Sequence, residues 1–83
     1  MPPSDRTPVR TTLDLASLDD GEMREGYAAA WRGEPCPPEA SRSFWHGWRN
    51  GCVDNGRAEV DEHMRALARE IFTLTTMPVQ GRA

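Results

Sequence analysis

The chain has 83 residues, a formal net charge of −3, and ten basic residues that are all arginine. A chain of this length forms one domain and buries only about 60% of the surface that its unfolded form exposes. It contains no apolar run near the ~20 residues of a membrane span, and its first residues lack the apolar core of a secretory signal. We therefore expect a marginally stable, one-domain cytoplasmic protein without a membrane segment.

Both ends of the chain are rich in Pro, Thr, Ser and Gly and lack a regular apolar period. Such segments bury too little apolar surface to offset the entropy of ordering, so residues 1–17 and 73–83 are predicted to be disordered tails. Residues 18–72 are predicted to form an all-α domain of two or three helices.

The first helix is predicted over Asp20–Arg32. Asp19 precedes it and Glu22 follows three residues later, which is the spacing of a capping box. Gly33 and the prolines after it end the pattern. The apolar side chains that recur at helical spacing on one side are Met23, Tyr27, Ala30 and Trp31.

The second helix is predicted over Arg42–Cys52, with Ser41 as its cap, after a stiff proline-containing connector. One arc of this helix is apolar and is formed by Phe44, Trp45, Trp48 and Cys52. A second arc, about 110° away on the helical wheel, is basic and is formed by Arg42, His46 and Arg49. The pattern predicts one buried side and one basic side on an otherwise acidic chain.

A third helix is predicted after the turn at Asn55 and Gly56, residues that tolerate a left-handed backbone. Asp61 and Arg65 are spaced to pair along it. Its apolar stripe is expected to pack against the aromatic residues of the second helix. The stripe consists of Val60, Met64, Leu67 and Ile71.

Small residues lie four apart in both of the first two helices, at Gly26 with Ala30 and at Gly47 with Gly51. Glycine inside a helix costs roughly 1 kcal/mol in propensity. Its use here indicates a close neighbour, either another helix or a ligand.

Metal, disulfide and catalytic chemistry are not expected. Cys36 and Cys52 are predicted to be reduced thiols, and with His46 and His63 they match none of the usual zinc spacings. The chain has no phosphate-cradling loop, nucleophile elbow or HExxH motif, so we expect neither an enzyme nor a cofactor.

Several short motifs occur in a characteristic order over residues 25–51: Gly26-Tyr27, Ala29 and Gly33, then Cys36-Pro37, then Arg42, Trp45 and Gly47-Trp48-Arg49. This order resembles the ribosome modulation factor family, in which a GY-x-A-x3-G helix, a CP-containing linker and an R-x2-W element followed by GWR form a two-helix unit. The connector is shorter here, and the third helix has no counterpart in the shortest members.

The resemblance implies binding to the small ribosomal subunit near the 3′ end of its rRNA, favouring inactive ribosome dimers in stationary phase or stress. The rRNA-binding or partner-binding candidates are Tyr27, Arg42, Trp45, His46, Trp48 and Arg49. Core packing is the alternative role for the aromatic residues, and a solvated helix face is the alternative for the arginines. Because the family is typically basic and this chain is acidic, a regulatory module that binds a protein, of the kind mobile elements encode, is the alternative function. The oligomeric state stays open.

Overall fold

The computed structural model of the protein describes residues 6–76, and this part of the chain is all-helical. Its four helices are α1 (Thr12–Ala16), α2 (Asp20–Trp31), α3 (Arg42–Asp54) and α4 (Glu62–Thr76). The predicted all-α class is confirmed, with one more helix than expected. None of these helices is long and apolar enough to cross a membrane.

Polar side chains start α2 and α3 where the sequence predicted them. Oδ1 of Asp19 accepts a hydrogen bond from the Glu22 N–H at 2.9 Å. The hydroxyl of Ser41 accepts from the Phe44 N–H at 3.1 Å. The carboxylate of Glu22, however, does not return to its own cap, because it accepts a hydrogen bond from the Ser41 hydroxyl at 2.9 Å. The expected capping box is therefore only half formed: Asp19 caps α2, but Glu22 joins the first turn of α2 to the cap of α3.

Helices α2 and α3 lie side by side and run in the same direction. At their starts the Asp19 N–H donates to the Ser43 hydroxyl at 2.8 Å, and at their ends the Asn55 amide donates to the Ala30 carbonyl at 2.9 Å. This α2/α3 pair, residues 20–54, has by far the most extensive helix contact among the described residues.

Two glycines allow the backbones of α2 and α3 to touch. A Cβ atom on Gly26 would collide with the carbonyl oxygen of Phe44, and a Cβ on Gly47 would collide with that of Met23. The predicted close neighbour of these glycines is therefore the other helix of the pair.

The connector between α2 and α3 returns the chain along the pair. The connector must run back from the end of α2 to the start of α3, a distance of about 18 Å, the length of α2. Ten extended residues reach about 30 Å, so an extended connector is long enough, and its prolines favour the extended backbone. Gly33 takes a φ of 79°, which lets the chain leave α2. The Trp48 indole N–H donates to the Glu34 carbonyl at 2.8 Å and fixes the connector to α3.

The remaining helices form a second layer, defined here as the α1/α4 layer, residues 7–16 and 61–76. The Thr12 hydroxyl and backbone N–H both donate to Oε1 of Glu70, at 2.6 and 2.7 Å, and join the two helices. Leu67 is the buried side chain of α4, and α1 buries none of its own residues. Leu15 and Leu67 line one cavity with Met23, His46 and Asn50, so this layer lies over the basic side of α3.

Two expectations about the tails differ from the structure. The segment predicted as an N-terminal tail contains α1, which is capped by Thr11 and preceded by the buried Val9. Helix α4 continues to Thr76, beyond the predicted start of the C-terminal tail at residue 73. The predictions for residues 1–5 and 77–83 lie outside the described residues.

The predicted contacts of the apolar stripe are only partly correct. Met64 and Trp48 line one cavity, as expected. Phe44, in contrast, lines a cleft with Ala28 and Ala29 of α2. Val60 precedes α4 and is 40% exposed. The aromatic side of α3 is divided between α2 and the connector because the two helices run in parallel and the connector must pass back beside them.

Candidate binding site

One side of α3 brings a tryptophan together with three guanidinium groups. Arg42, Trp45 and Arg49 lie three and four residues apart, which places them along one side of the helix. The Cζ atoms of Arg49 and Arg6 lie over the Trp45 ring, at 4.8 and 5.8 Å from its centroid. We call Arg6, Arg42, Trp45 and Arg49 the Trp45 cluster. Its half-buried aromatic ring and cations have the chemistry that stacks on bases and pairs with phosphates.

Arg42 is engaged by the segment in front of it. Its two terminal nitrogens donate to the two carboxylate oxygens of Asp14, at 2.8 and 2.6 Å, and its Nε donates to the Thr7 carbonyl at 2.8 Å. The Arg42 side chain is 17% exposed. Hydrogen bonding to the Arg42 guanidinium lowers the pKa of Asp14, because it favours the charged carboxylate.

Arg49 is engaged by the start of α4. Its guanidinium forms an ion pair with Oδ2 of Asp61, and its side chain is 18% exposed. Oδ1 of Asp61 accepts a hydrogen bond from the Met64 N–H at 2.8 Å, so this carboxylate caps α4 as well. Burial lowers the pKa of the Arg49 guanidinium. The predicted partner of Asp61 was Arg65, and the structure instead joins it to the second helix of the α2/α3 pair.

His46 lies between the two arginines but is not on an exposed face. It is 5% exposed, and its Nε2 lies 3.2 Å from the Asn50 amide nitrogen. Burial is the main cause that lowers its pKa, and the charges of Arg49 and Arg42 act in the same direction. The expected exposed basic face is thus corrected: its centre is a buried imidazole, and both flanking arginines are paired within the chain.

The two other candidates lie apart from this cluster. The Tyr27 hydroxyl donates to the Asp54 carboxylate at 2.7 Å, and its ring centroid is 6.3 Å from that of Trp31. Tyr27 and Trp31 are 37% and 51% exposed, so they form an exposed aromatic pair on α2. Trp48 faces the connector. Four of the six predicted site residues therefore share one side of α3, and two do not.

Sequence reasoning missed the acidic half of the site. Asp14 lies in a segment predicted to be a tail, and Asp61 has Arg65 four residues away as a local partner. The sequence therefore does not indicate that these aspartates pair with Arg42 and Arg49. Arg6 likewise lies far in sequence from Trp45. Only covariation between these positions would have indicated the pairs, because 28 residues separate Asp14 from Arg42.

Possible metal ligands and the two cysteine thiols are the remaining groups with chemistry of their own. Residues 6–76 contain no group of three or more His, Cys, Asp or Glu side chains that could hold a metal ion. Cys36 and Cys52 are free thiols, and burial raises the pKa of Cys52.

The arrangement is a cationic and aromatic patch on a parallel helix pair, with the residue types that can bind anionic or planar groups. Comparison with protein-family models, curated proteins and solved structures finds no match for this chain.

Proposed function

We propose that this protein binds the small ribosomal subunit in the cytoplasm, with its Trp45 cluster contacting rRNA. By this binding it favours inactive paired ribosomes in stationary phase or stress. The observation that carries the proposal is that the motifs resembling ribosome modulation factor fall together in one structural unit, the α2/α3 pair.

The motif glycines support the proposal through their packing. Gly26 of the GY element and Gly47 of the GWR element are the positions where the two helices touch. Gly51 belongs to the same contact, since a Cβ there would lie 2.6 Å from the Ala30 Cβ. The motif thus describes a rigid parallel pair, and Arg42, Trp45 and Arg49 lie on it at fixed spacing.

The chemistry of the Trp45 cluster supports an RNA partner. Guanidinium groups bind phosphates in a fork geometry and stack on planar groups, and a half-buried tryptophan ring stacks on unpaired bases. Bidentate pairing of Arg42 with a carboxylate already displays the geometry that a phosphate requires.

A second candidate function, a protein-binding regulatory module, is favoured by exposed apolar side chains on the α1/α4 layer. Leu13, Phe72 and Leu74 are 83%, 67% and 56% exposed. This candidate predicts a defined protein partner in a pull-down and no co-sedimentation with ribosomes at any salt concentration.

The deciding experiment is a sucrose gradient of stationary-phase lysate from cells that express the chain. We expect the protein in the small-subunit or paired-ribosome fractions, with binding that weakens steeply as salt rises. Arg42→Gln with Arg49→Gln should flatten the salt dependence by about one unit of slope per lost phosphate contact.

The matched control is Arg24→Gln with Arg32→Gln, which removes the same charge from exposed positions on α2. It should change the slope much less. A thermal melt must show that both double variants are folded. A folded Arg42 and Arg49 variant that co-sediments like the wild type would reject the Trp45 cluster as the binding site.

A further inference from the structure

Both α3 arginines of the Trp45 cluster are already occupied by carboxylates of the same chain. Asp14 fills the fork of Arg42 with two hydrogen bonds, and Asp61 pairs with Arg49. A carboxylate and a phosphate present oxygens to a guanidinium in the same way. The two aspartates therefore occupy the places that two phosphates of a bound RNA would take.

Both carboxylates come from the α1/α4 layer, whose two helices are joined to each other. The Thr12 and Glu70 contact links α1 with α4, so the layer closes over the basic side of α3 from both ends. His46 becomes buried beneath it, between the two ion pairs.

The layer is held far more weakly than the α2/α3 pair. Helix α1 has five residues and buries none of them, and Leu67 is the one buried residue of α4 over its described side chains. Val9, before α1, is the other buried apolar residue of the layer. The remaining attachments include the ion pairs and hydrogen bonds of Asp14, Asp61 and Glu70, which water and a competing anion can replace. Because these pairs are partly buried, the cost of desolvating their charges offsets much of the attraction between them.

We propose that the α1/α4 layer is an internal acidic cover, which RNA phosphates displace from Arg42 and Arg49 when the protein binds its target. This inference rests on the proposed function and assigns its regulation: the closed form neutralises Arg42 and Arg49, and only a partner with closely spaced phosphates opens it. The cover also accounts for a binding cluster on a chain of net charge −3.

The test is the affinity of the Asp14→Asn and Asp61→Asn double variant for purified small ribosomal subunits. Asparagine keeps the side-chain shape and the helix cap of Asp61 but removes both charges. Removing two partly exposed ion pairs should tighten binding about three- to thirtyfold. The salt dependence should also become steeper, since the wild type breaks its own ion pairs on binding.

The matched control is Asp20→Asn with Glu34→Gln. Each of these carboxylates pairs with an exposed arginine elsewhere, Arg24 or Arg32, and the net charge changes by the same amount. Its affinity should rise by less than about twofold, the long-range effect of charge alone.

Amide hydrogen exchange of the free proteins measures the cover independently of the ribosome. The Asp14 and Asp61 variant should exchange faster in α1 and the first turn of α4, with α2 and α3 unchanged. Glu70→Ala, which loosens the link to Thr12 and keeps both arginine pairs, should tighten binding in the same direction by a smaller factor. If the Asp14 and Asp61 double variant does not fold, the affinity of Glu70→Ala still tests whether the α1/α4 layer limits binding.

The two proposals fail in different ways. Saturable binding that is equally tight in the wild type, the double variant and the control would overturn the cover and leave the ribosomal function standing. If none of the variants bound the small subunit at low salt, the proposed ribosomal function would be wrong. The role of the cover in regulating RNA binding would then be wrong as well.

Discussion

Helices α2 and α3 meet backbone to backbone, whereas α1 and α4 reach the rest of the chain mainly through polar side chains. At Gly26 and Gly47 the first contact leaves no room for a methyl group. The second depends on the ion pairs of Asp14 and Asp61 and on two buried apolar residues, Val9 before α1 and Leu67 in α4. The same small chain therefore contains one sterically fixed unit and one unit attached largely through charged and polar groups. We expect the second unit to respond more strongly to salt and to a competing anion.

The largest expected effect is on the sterically fixed unit. Gly47→Ala places a Cβ against the Met23 carbonyl, which belongs to a helix backbone and cannot rotate away. We expect a loss of about 3 kcal/mol or more in the free energy of unfolding, enough to unfold much of a marginal domain. Urea denaturation followed by circular dichroism measures it.

Gly21→Ala is the control for Gly47→Ala. The nearest atom to its new Cβ is a carboxylate oxygen of Asp19 at 3.3 Å, at the end of a flexible side chain. Stability should stay within about 1 kcal/mol of the wild type, since alanine also favours the helix. Equal effects of the two substitutions would show that the α2/α3 contact is looser than described.

The next effect tests how far the α1/α4 layer depends on Leu67, one of its two buried apolar residues. Leu67 is 7% exposed, and Leu67→Ala should lower the free energy of unfolding by roughly 2 to 4 kcal/mol, through lost burial and a new cavity. Leu74→Ala, at a position that is 56% exposed, should change it by about half a kcal/mol at most. An unchanged melt for Leu67→Ala would mean that α4 does not stabilise the folded domain.

The smallest effect concerns the boundary between the two regions, where His46 is buried. Its pKa is lowered from an ordinary value of 6.5, mainly by burial and further by Arg49 and Arg42. Below pH 6.5 the unfolded chain binds a proton that the folded chain does not, so stability is fully present above this pH and falls as the solution is acidified. The slope is at most about 1.4 kcal/mol per pH unit, and it ends below the folded-state pKa.

Urea titrations between about pH 7.5 and pH 5, on either side of the ordinary histidine pKa, would measure this slope, and His46→Gln should flatten it. That range lies above the pH at which Asp14 titrates. Hydrogen bonds from Arg42 lower the pKa of Asp14, so the stability that this carboxylate contributes is lost only as the pH falls below 3.8, its ordinary pKa. If the His46→Gln variant and the wild type showed the same slope, the titrating group would lie elsewhere.

The features that depend on neighbours within a few residues could be predicted from the amino-acid sequence. The caps at Asp19 and Ser41, the end of α2 before Gly33 and the turn at Gly56 all follow from local backbone chemistry. The glycine spacing also indicated a close approach, since only contact with another backbone compensates for glycine inside a helix.

Which charged side chains pair with each other depends on how the helices pack in three dimensions. A helical wheel places Arg42, His46 and Arg49 on one side of α3, but it cannot show that Asp14 and Asp61 arrive there from segments before α2 and after α3. The ion pairs exist because α1 and α4 dock over that side, and docking depends on contacts such as Thr12 with Glu70, 58 residues apart. Local sequence patterns contain no information about contacts between residues so far apart. The basic side of α3, which the helical wheel shows without partners, is therefore covered by α1 and α4 in the structure.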